Sequence, residues 1–295
     1  MQMFKNFEIL FFRYKITDVV EKDRRREITI GYDTYQPENK LLFKKYKIRD
    51  DFLKEANKIK KLQSSYHPCT SRFCYPSTFL YSSIVFPYYE DRDLYYTIFE
   101  RNKNPLKEAD YLTFILEITD ALMFLEKNEI QHYDIKLENI LVVRDGNKNE
   151  YHFKLTDYEF MDFEKKKIPL GTYPYIAPEL ILNSNIIHLP FVAFKCDIFS
   201  LGRVFCILFL DRFFESLMTR SLNHPILTLI DFMYLFDYID ETKIITQNCS
   251  SFIKNNKIFI DWLVKNCEIF ATTRFFASES QSFFLENVVD PSFLS

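Results

Sequence analysis

Apolar and polar residues alternate with a period of two over Tyr14–Val20, Glu27–Tyr32 and Leu41–Tyr46, the mark of strands whose side chains point alternately to two faces. A charged turn, Glu21-Lys22-Asp23-Arg24-Arg25-Arg26, separates the first two, so a strand meander is expected at the start. From Phe52 to Leu62 the spacing lengthens to that of a helix, with Phe52, Ile59 and Leu62 available to one apolar side. Val85-Phe86-Pro87 and the run Leu94–Glu100 are read as strands that complete the sheet, with a lengthened loop around His67-Pro68 before them. Asn104-Pro105 breaks the pattern, and beyond it Tyr111, Phe114, Ile115, Ile118, Leu122 and Leu125 recur at helical spacing. Two short apolar runs, Ile140–Val143 and Tyr151–Leu155, flank the turn residues Arg144-Asp145-Gly146-Asn147 and predict an antiparallel hairpin. Between Leu210 and Ile258 the pattern predicts only helices and loops. The fold class is α+β: a small antiparallel β part with one helix, then a larger, mainly α-helical part.

Composition narrows the function classes. The 295 residues suffice for one large domain or two small lobes around a sizeable core. A formal net charge of −3, with 27% charged residues, gives no reason to expect nucleic acid or an acidic membrane as the main partner. The six cysteines include no C-x-x-C pair, so neither a zinc site nor a disulfide framework is indicated. No apolar run reaches the length of a membrane span, and the apolar core from Phe7 to Phe12 is too short for a secretory signal. An intracellular, cytoplasmic protein is therefore expected. Glycine is scarce, at 4 residues, which bears on the charged turn.

The candidate chemistry lies in His132-Tyr133-Asp134-Ile135-Lys136-Leu137-Glu138-Asn139 and in Lys154-Leu155-Thr156-Asp157-Tyr158-Glu159. The hairpin brings Asn139 and Asp157 to the same end, with Asp134 and Lys136 one turn away. A magnesium ion that keeps most of its waters and shares a polyphosphate needs only about one or two such protein ligands. A carboxylate to orient a hydroxyl, a lysine over the transferred oxygens and two oxygen ligands for metal are what phosphoryl transfer requires.

This stretch resembles the catalytic loop of the eukaryotic protein kinases, H-R-D-x-K-x-x-N followed by D-F-G. The resemblance implies a two-lobed protein-kinase fold over 14–295, after an N-terminal extension 1–13, with lobes of about 14–102 and 103–295. It implies ATP and Mg2+ as cofactors. Lys44 matches the strand lysine at the α- and β-phosphates, Glu55 its helix partner, and Leu42 the residue against the adenine. By the same resemblance Phe99 is the gatekeeper, Glu100 to Asn102 form the hinge, and Leu141 joins the nucleotide-binding set. Gly171-Thr172-Tyr173-Pro174-Tyr175-Ile176-Ala177-Pro178-Glu179 resembles the peptide-substrate platform G-T-x-x-Y-x-A-P-E, in which Thr172 bonds Asp134 and Lys136. Glu179 is expected to pair with Arg274, and Asp197 to bind catalytic-loop backbone. Asp134, Lys136, Asn139 and Thr172 form the expected catalytic set, and Asn139 and Asp157 the metal ligands.

Three features depart from the family pattern. The turn after the first strand has no glycine, Tyr133 replaces the arginine before Asp134, and Asp157-Tyr158-Glu159 replaces D-F-G. Missing charged groups matter more to phosphoryl transfer than an altered cover loop, and Lys22, Arg24, Arg25 or Arg26 are candidates to contact phosphates from that turn. The favoured reading is an ATP-dependent kinase acting on Ser or Thr of protein, because Lys136 two residues after Asp134 is the serine/threonine pattern. The alternative is a pseudokinase that binds partners or nucleotide without turnover. A small-molecule kinase is disfavoured by the platform residues.

Overall fold

Strand β1 (Tyr14–Lys22), β2 (Arg26–Asp33) and β3 (Gln36–Tyr46) pair antiparallel in sequence order, and β5 (Ser83–Pro87) follows β3, with the short β4 (Tyr75–Ser77) on the far edge. The computed structural model describes residues 13–63, 67–70, 75–77, 82–101, 105–145, 150–157, 171–172, 175–182, 190–209, 253, 255–268 and 271–293. The chain divides into two units, Met1–Arg92 and Asp93–Ser295. The expected lobe boundary near 102 thus lies ten residues beyond the observed division.

In the first unit the β1–β2 turn is closed by a side chain. The Asp23 carboxylate accepts the backbone N–H of Arg25 at 2.6 Å and of Arg26 at 2.7 Å, a turn chemistry that needs no glycine. Helix α1 (Arg49–Gln63) opens with Asp50 and Asp51, favourable at the positive end of the helix dipole. Phe52, Glu55, Ile59 and Leu62 are all buried, three or four residues apart, so one carboxylate is set within an apolar stripe. Arg13 belongs with the sheet rather than the extension, its Nε donating to Asp33 Oδ2 at 2.8 Å.

The run Leu94–Glu100 is helical, not a strand. Asp93 caps it by accepting the Tyr96 N–H at 2.9 Å, and it ends in a wider turn, Tyr96–Glu100, whose closing bond runs from Arg101 N–H to Tyr96 O at 2.9 Å. Leu94 and Thr97, three residues apart, are buried, while Phe99 faces outward, 44% exposed. The aromatic content of the run suits a strand, but the N-cap and this spacing decide for helix.

The second unit is mainly helical. Helix α2 (Glu108–Lys127) packs on the hairpin of β6 (Ile140–Asp145) and β7 (Glu150–Leu155), and Glu117 accepts the Phe153 N–H at 2.6 Å. Helices α3 (Pro178–Leu182), α4 (Pro190–Phe209), α5 (Asn256–Asn266) and α6 (Ala277–Phe283) follow. Their shared core is aromatic: Phe205 lies 4.8 Å from Trp262, and Trp262 4.7 Å from Phe284, ring centre to ring centre. Among the described residues no helix is long and apolar enough to cross a membrane.

Candidate functional site

In the first unit, alternation along β3 turns Leu42, Lys44 and Tyr46 to one face. Leu41 and Phe43 take the other, where they pack with Val85. Lys44 Nζ donates to both carboxylate oxygens of Glu55, at 3.1 and 3.0 Å, and both side chains are buried. Tyr46 donates its hydroxyl to Glu55 Oε2, and the lysine ammonium stands 5.6 Å from the Tyr46 ring centre. A buried carboxylate is tolerated only when its charge is met by donors, and here an ammonium and a phenol meet it.

In the second unit, the loop from His132 to Asn139 is held from below by α4. Asp197, buried, accepts the backbone N–H groups of His132 and Tyr133 at 2.7 Å each. Burial pushes the Asp197 carboxyl up to about 7 against these two donors, which pull it down. Tyr133 adopts a left-handed φ of 64°, a conformation that bulky residues hold only when their surroundings impose it. The fully buried His132 ring is neutral, its basicity lowered chiefly by burial. Its Nδ1 accepts the Asp134 N–H at 3.3 Å, so Nε2 carries the proton and donates to Thr156 O at 2.8 Å. One imidazole thereby ties the loop to the end of β7.

Above this base four polar side chains converge. Thr172 donates its hydroxyl to Asp134 Oδ1 at 2.6 Å and accepts from Lys136 Nζ at 3.0 Å. Lys136 Nζ also lies 3.1 Å from Asp134 Oδ2. Asn139 Nδ2 donates to Asp134 O at 2.8 Å and Oδ2 at 3.0 Å, which leaves Oδ1 outside these bonds. Thr172 reaches the cluster because Gly171 has φ 108° and lies against the loop: a Cβ there would meet Tyr133 O at 2.7 Å. The same segment is anchored at its far end. Arg274, buried, donates to Glu179 Oε1 at 2.6 Å and Oε2 at 3.2 Å, and also to the carbonyls of Lys195 and Glu268. Ser200 of α4 donates to Tyr175 O at 2.8 Å.

The comparisons agree with this geometry. The family described as protein kinase domain matches residues 38–275, well over half of the chain. The chain belongs to the protein kinase domain family. A probable serine/threonine-protein kinase KIN1 homolog of Encephalitozoon cuniculi is 29% identical over 171 residues, covering 53% of this chain and 28% of that protein. Myosin light chain kinase family member 4 of Mus musculus is 31% identical over 117 residues, 38% of this chain and 28% of that protein. The matched stretches thus span under a third of these curated relatives. In fold, the crystal structure of the PF14_0431 kinase domain aligns with TM-score 0.61 at 18% identity, covering 92% of this chain and 94% of that one.

Within this kinase domain, most of the residues expected to carry chemistry gather into two groups. Lys44 and Glu55 are paired, and Leu42 shares their face of β3. Asp134, Lys136, Asn139 and Thr172 form one hydrogen-bonded cluster. Asp157 follows β7, one residue past Thr156, whose N–H donates to Asn139 O at 3.0 Å. It too has a left-handed φ, 63°. Leu141 lies on β6 and bridges to Asp93. The segment that carries Phe99 and Glu100 is helical and is not a strand of the sheet; the chain leaves the sheet at Pro87, and Phe86 is the residue paired with Leu42. Asn102, Tyr158 and Glu159 lie outside the described residues. Among the described residues no group of three or more His, Cys, Asp or Glu side chains gathers as a metal site. The Asn139 oxygen and the Asp157 carboxylate are nonetheless hard oxygen donors at one strand end, the type magnesium takes beside phosphate oxygens. Tyr46, on the lysine's own face two residues on, and the neutral His132 link were legible only as a strand aromatic and a motif letter.

Of the charged turn, Lys22 lies 3.6 Å from Glu27, and Arg26 lies 3.8 Å from Glu21 and 3.7 Å from Asp23, so both are engaged by carboxylates. The side chains of Arg24 and Arg25 make no ion pair among the described residues.

Proposed function

We propose that this protein kinase domain transfers the γ-phosphoryl group of ATP, with Mg2+, to a Ser or Thr hydroxyl of a protein. The observation that carries the reading is the Thr172 hydroxyl between Asp134 and Lys136, which fixes a buried carboxylate and a half-buried ammonium at hydrogen-bonding distance of each other. A carboxylate so held is suited to orient an incoming alcohol and take its proton as oxygen bonds to phosphorus and ADP leaves. Lys136 stabilises charge on the transferred oxygens, and needs no reorganisation to do so. Asn139 and Asp157 would hold the magnesium ion, which neutralises phosphate charge when bound.

In the first unit Lys44 is the phosphate-facing ammonium. The adenine-side positions are Leu42 and Phe86, with the backbone from Pro87 to Tyr89 as the hinge, in place of Phe99 and Glu100. Protein as the substrate class is supported by the segment from Gly171 to Glu179, which resembles the family's peptide-substrate platform and is anchored at its far end by Glu179 on Arg274.

One observation favours a second reading, a pseudokinase. The N–H groups of Arg25 and Arg26, where the family cradles phosphate on backbone, are taken by the Asp23 carboxylate. ATP consumption with Mg2+ and a generic protein substrate, compared between the natural chain and Asp157→Ala, decides. Turnover lost in the variant supports the enzyme; nucleotide binding without turnover in both makes this a binding module.

A further inference from the structure

Among the described side chains of α1, Glu55 is the one charged residue in the buried stripe, and both of its donors described above come from the same face of β3. They differ in kind. Lys44 has a long, flexible stem and three donors that a phosphate would compete for. Tyr46 has a rigid ring with a single donor. The ring is buried, packs 6.0 Å from Phe52 of α1, and is anchored by its own N–H, which donates to Ser82 O at 2.9 Å.

We propose that Tyr46 is a positioning residue that fixes Glu55, and through it Lys44, in the phosphate-ready arrangement before nucleotide arrives. It keeps the carboxylate bonded when the lysine turns some of its donors to phosphate, so α1 stays docked on the sheet. To withdraw, α1 must strip a buried carboxylate of its phenol as well as its ammonium, and leaving such a group unmet is unfavourable. The helix is then held in place by the fold itself, without an added modification. The inference rests on reading Lys44 as a phosphate ligand, but its structural half does not.

The test uses the 295-residue chain, with Tyr46→Phe, Glu55→Leu, which leaves no acceptor for the phenol, and the double variant, titrated with Mg-ATP by calorimetry and followed by amide hydrogen exchange. Tyr46→Phe is expected to weaken Mg-ATP binding and to speed exchange across α1, each roughly threefold to tenfold, the net contribution of one typical hydrogen bond. In the Glu55→Leu background the same change is expected to move neither by more than about twofold, since the phenol has no carboxylate left to hold. Equal effects in both backgrounds, or none in the natural chain, overturn the proposal. If the natural chain binds no Mg-ATP, the nucleotide reading fails and exchange decides alone: unchanged α1 protection in Tyr46→Phe overturns the positioning role, and faster exchange supports it.

Discussion

Asp197 Oδ1 accepts the backbone N–H of Tyr133 at 2.7 Å, while Tyr133 holds a left-handed φ of 64°. The strained residue and the buried carboxylate require each other: without the acceptor, Tyr133 has no reason to keep a conformation that costs on the order of 1–3 kcal/mol. Asn at 197 supplies one acceptor where two N–H groups point. Asp197→Asn is therefore expected to lower stability by about 1–3 kcal/mol, read from the urea midpoint.

The same carboxylate sets a pH dependence. Its folded value, raised to about 7 by burial, exceeds the usual carboxylate value. Between the two, the folded chain binds a proton that the unfolded chain does not, so this group's contribution falls as pH rises from about 4 toward 7 and is level above. Urea midpoints across that window should decline less steeply in Asp197→Asn than in the natural chain; parallel profiles would show that Asp197 does not titrate there.

Thr172→Val removes the hydroxyl between Asp134 and Lys136 but keeps the shape. Turnover is expected to fall roughly 10²-fold, the effect of a small misplacement of reacting groups, with Mg-ATP affinity nearly unchanged. Thr172→Ser, which keeps the oxygen, should recover most of the rate. Loss of nucleotide affinity in the valine variant would argue against a role confined to transfer.

Gly171→Ala places a Cβ 2.7 Å from Tyr133 O at φ 108°. A stability loss on the order of 1–3 kcal/mol is expected, together with a turnover loss at least as large as that of Thr172→Val, because the whole segment must move off the loop. Near-natural rates in this variant would show that the segment's seat on Tyr133 O is unimportant.

Glu179→Gln leaves Arg274 buried with one ionic partner fewer. A cost of about 3–5 kcal/mol in thermal or urea unfolding is expected, whereas replacing both residues by apolar ones of similar volume should cost much less.

Tyr133 is buried and carries no charge to receive a phosphate. Activity is expected to be indifferent to phosphorylation within 158–170, so treatment with a broad phosphatase should leave the rate unchanged.

Local pattern was enough to read the strand meander, the α1 stripe, the 140–155 hairpin and the order of the phosphoryl-transfer residues, because period and spacing are properties of neighbours in the chain. That Lys44 meets Glu55 was implied by the resemblance of the strand and helix to the kinase pattern, and the structure pairs them. The helix at Leu94–Glu100 was misread because its aromatic residues suit a strand, although Asp93 was present as an N-cap signal. What no local rule contains is which distant groups meet: the Tyr46 hydroxyl on Glu55, the neutral His132 joined to Thr156, Gly171 seated on Tyr133 O, and Arg274 met by the Glu179 carboxylate and by the carbonyls of Lys195 and Glu268. Those contacts exist only once burial removes water as the competing partner, and that is decided by the packed chain rather than by any stretch of it.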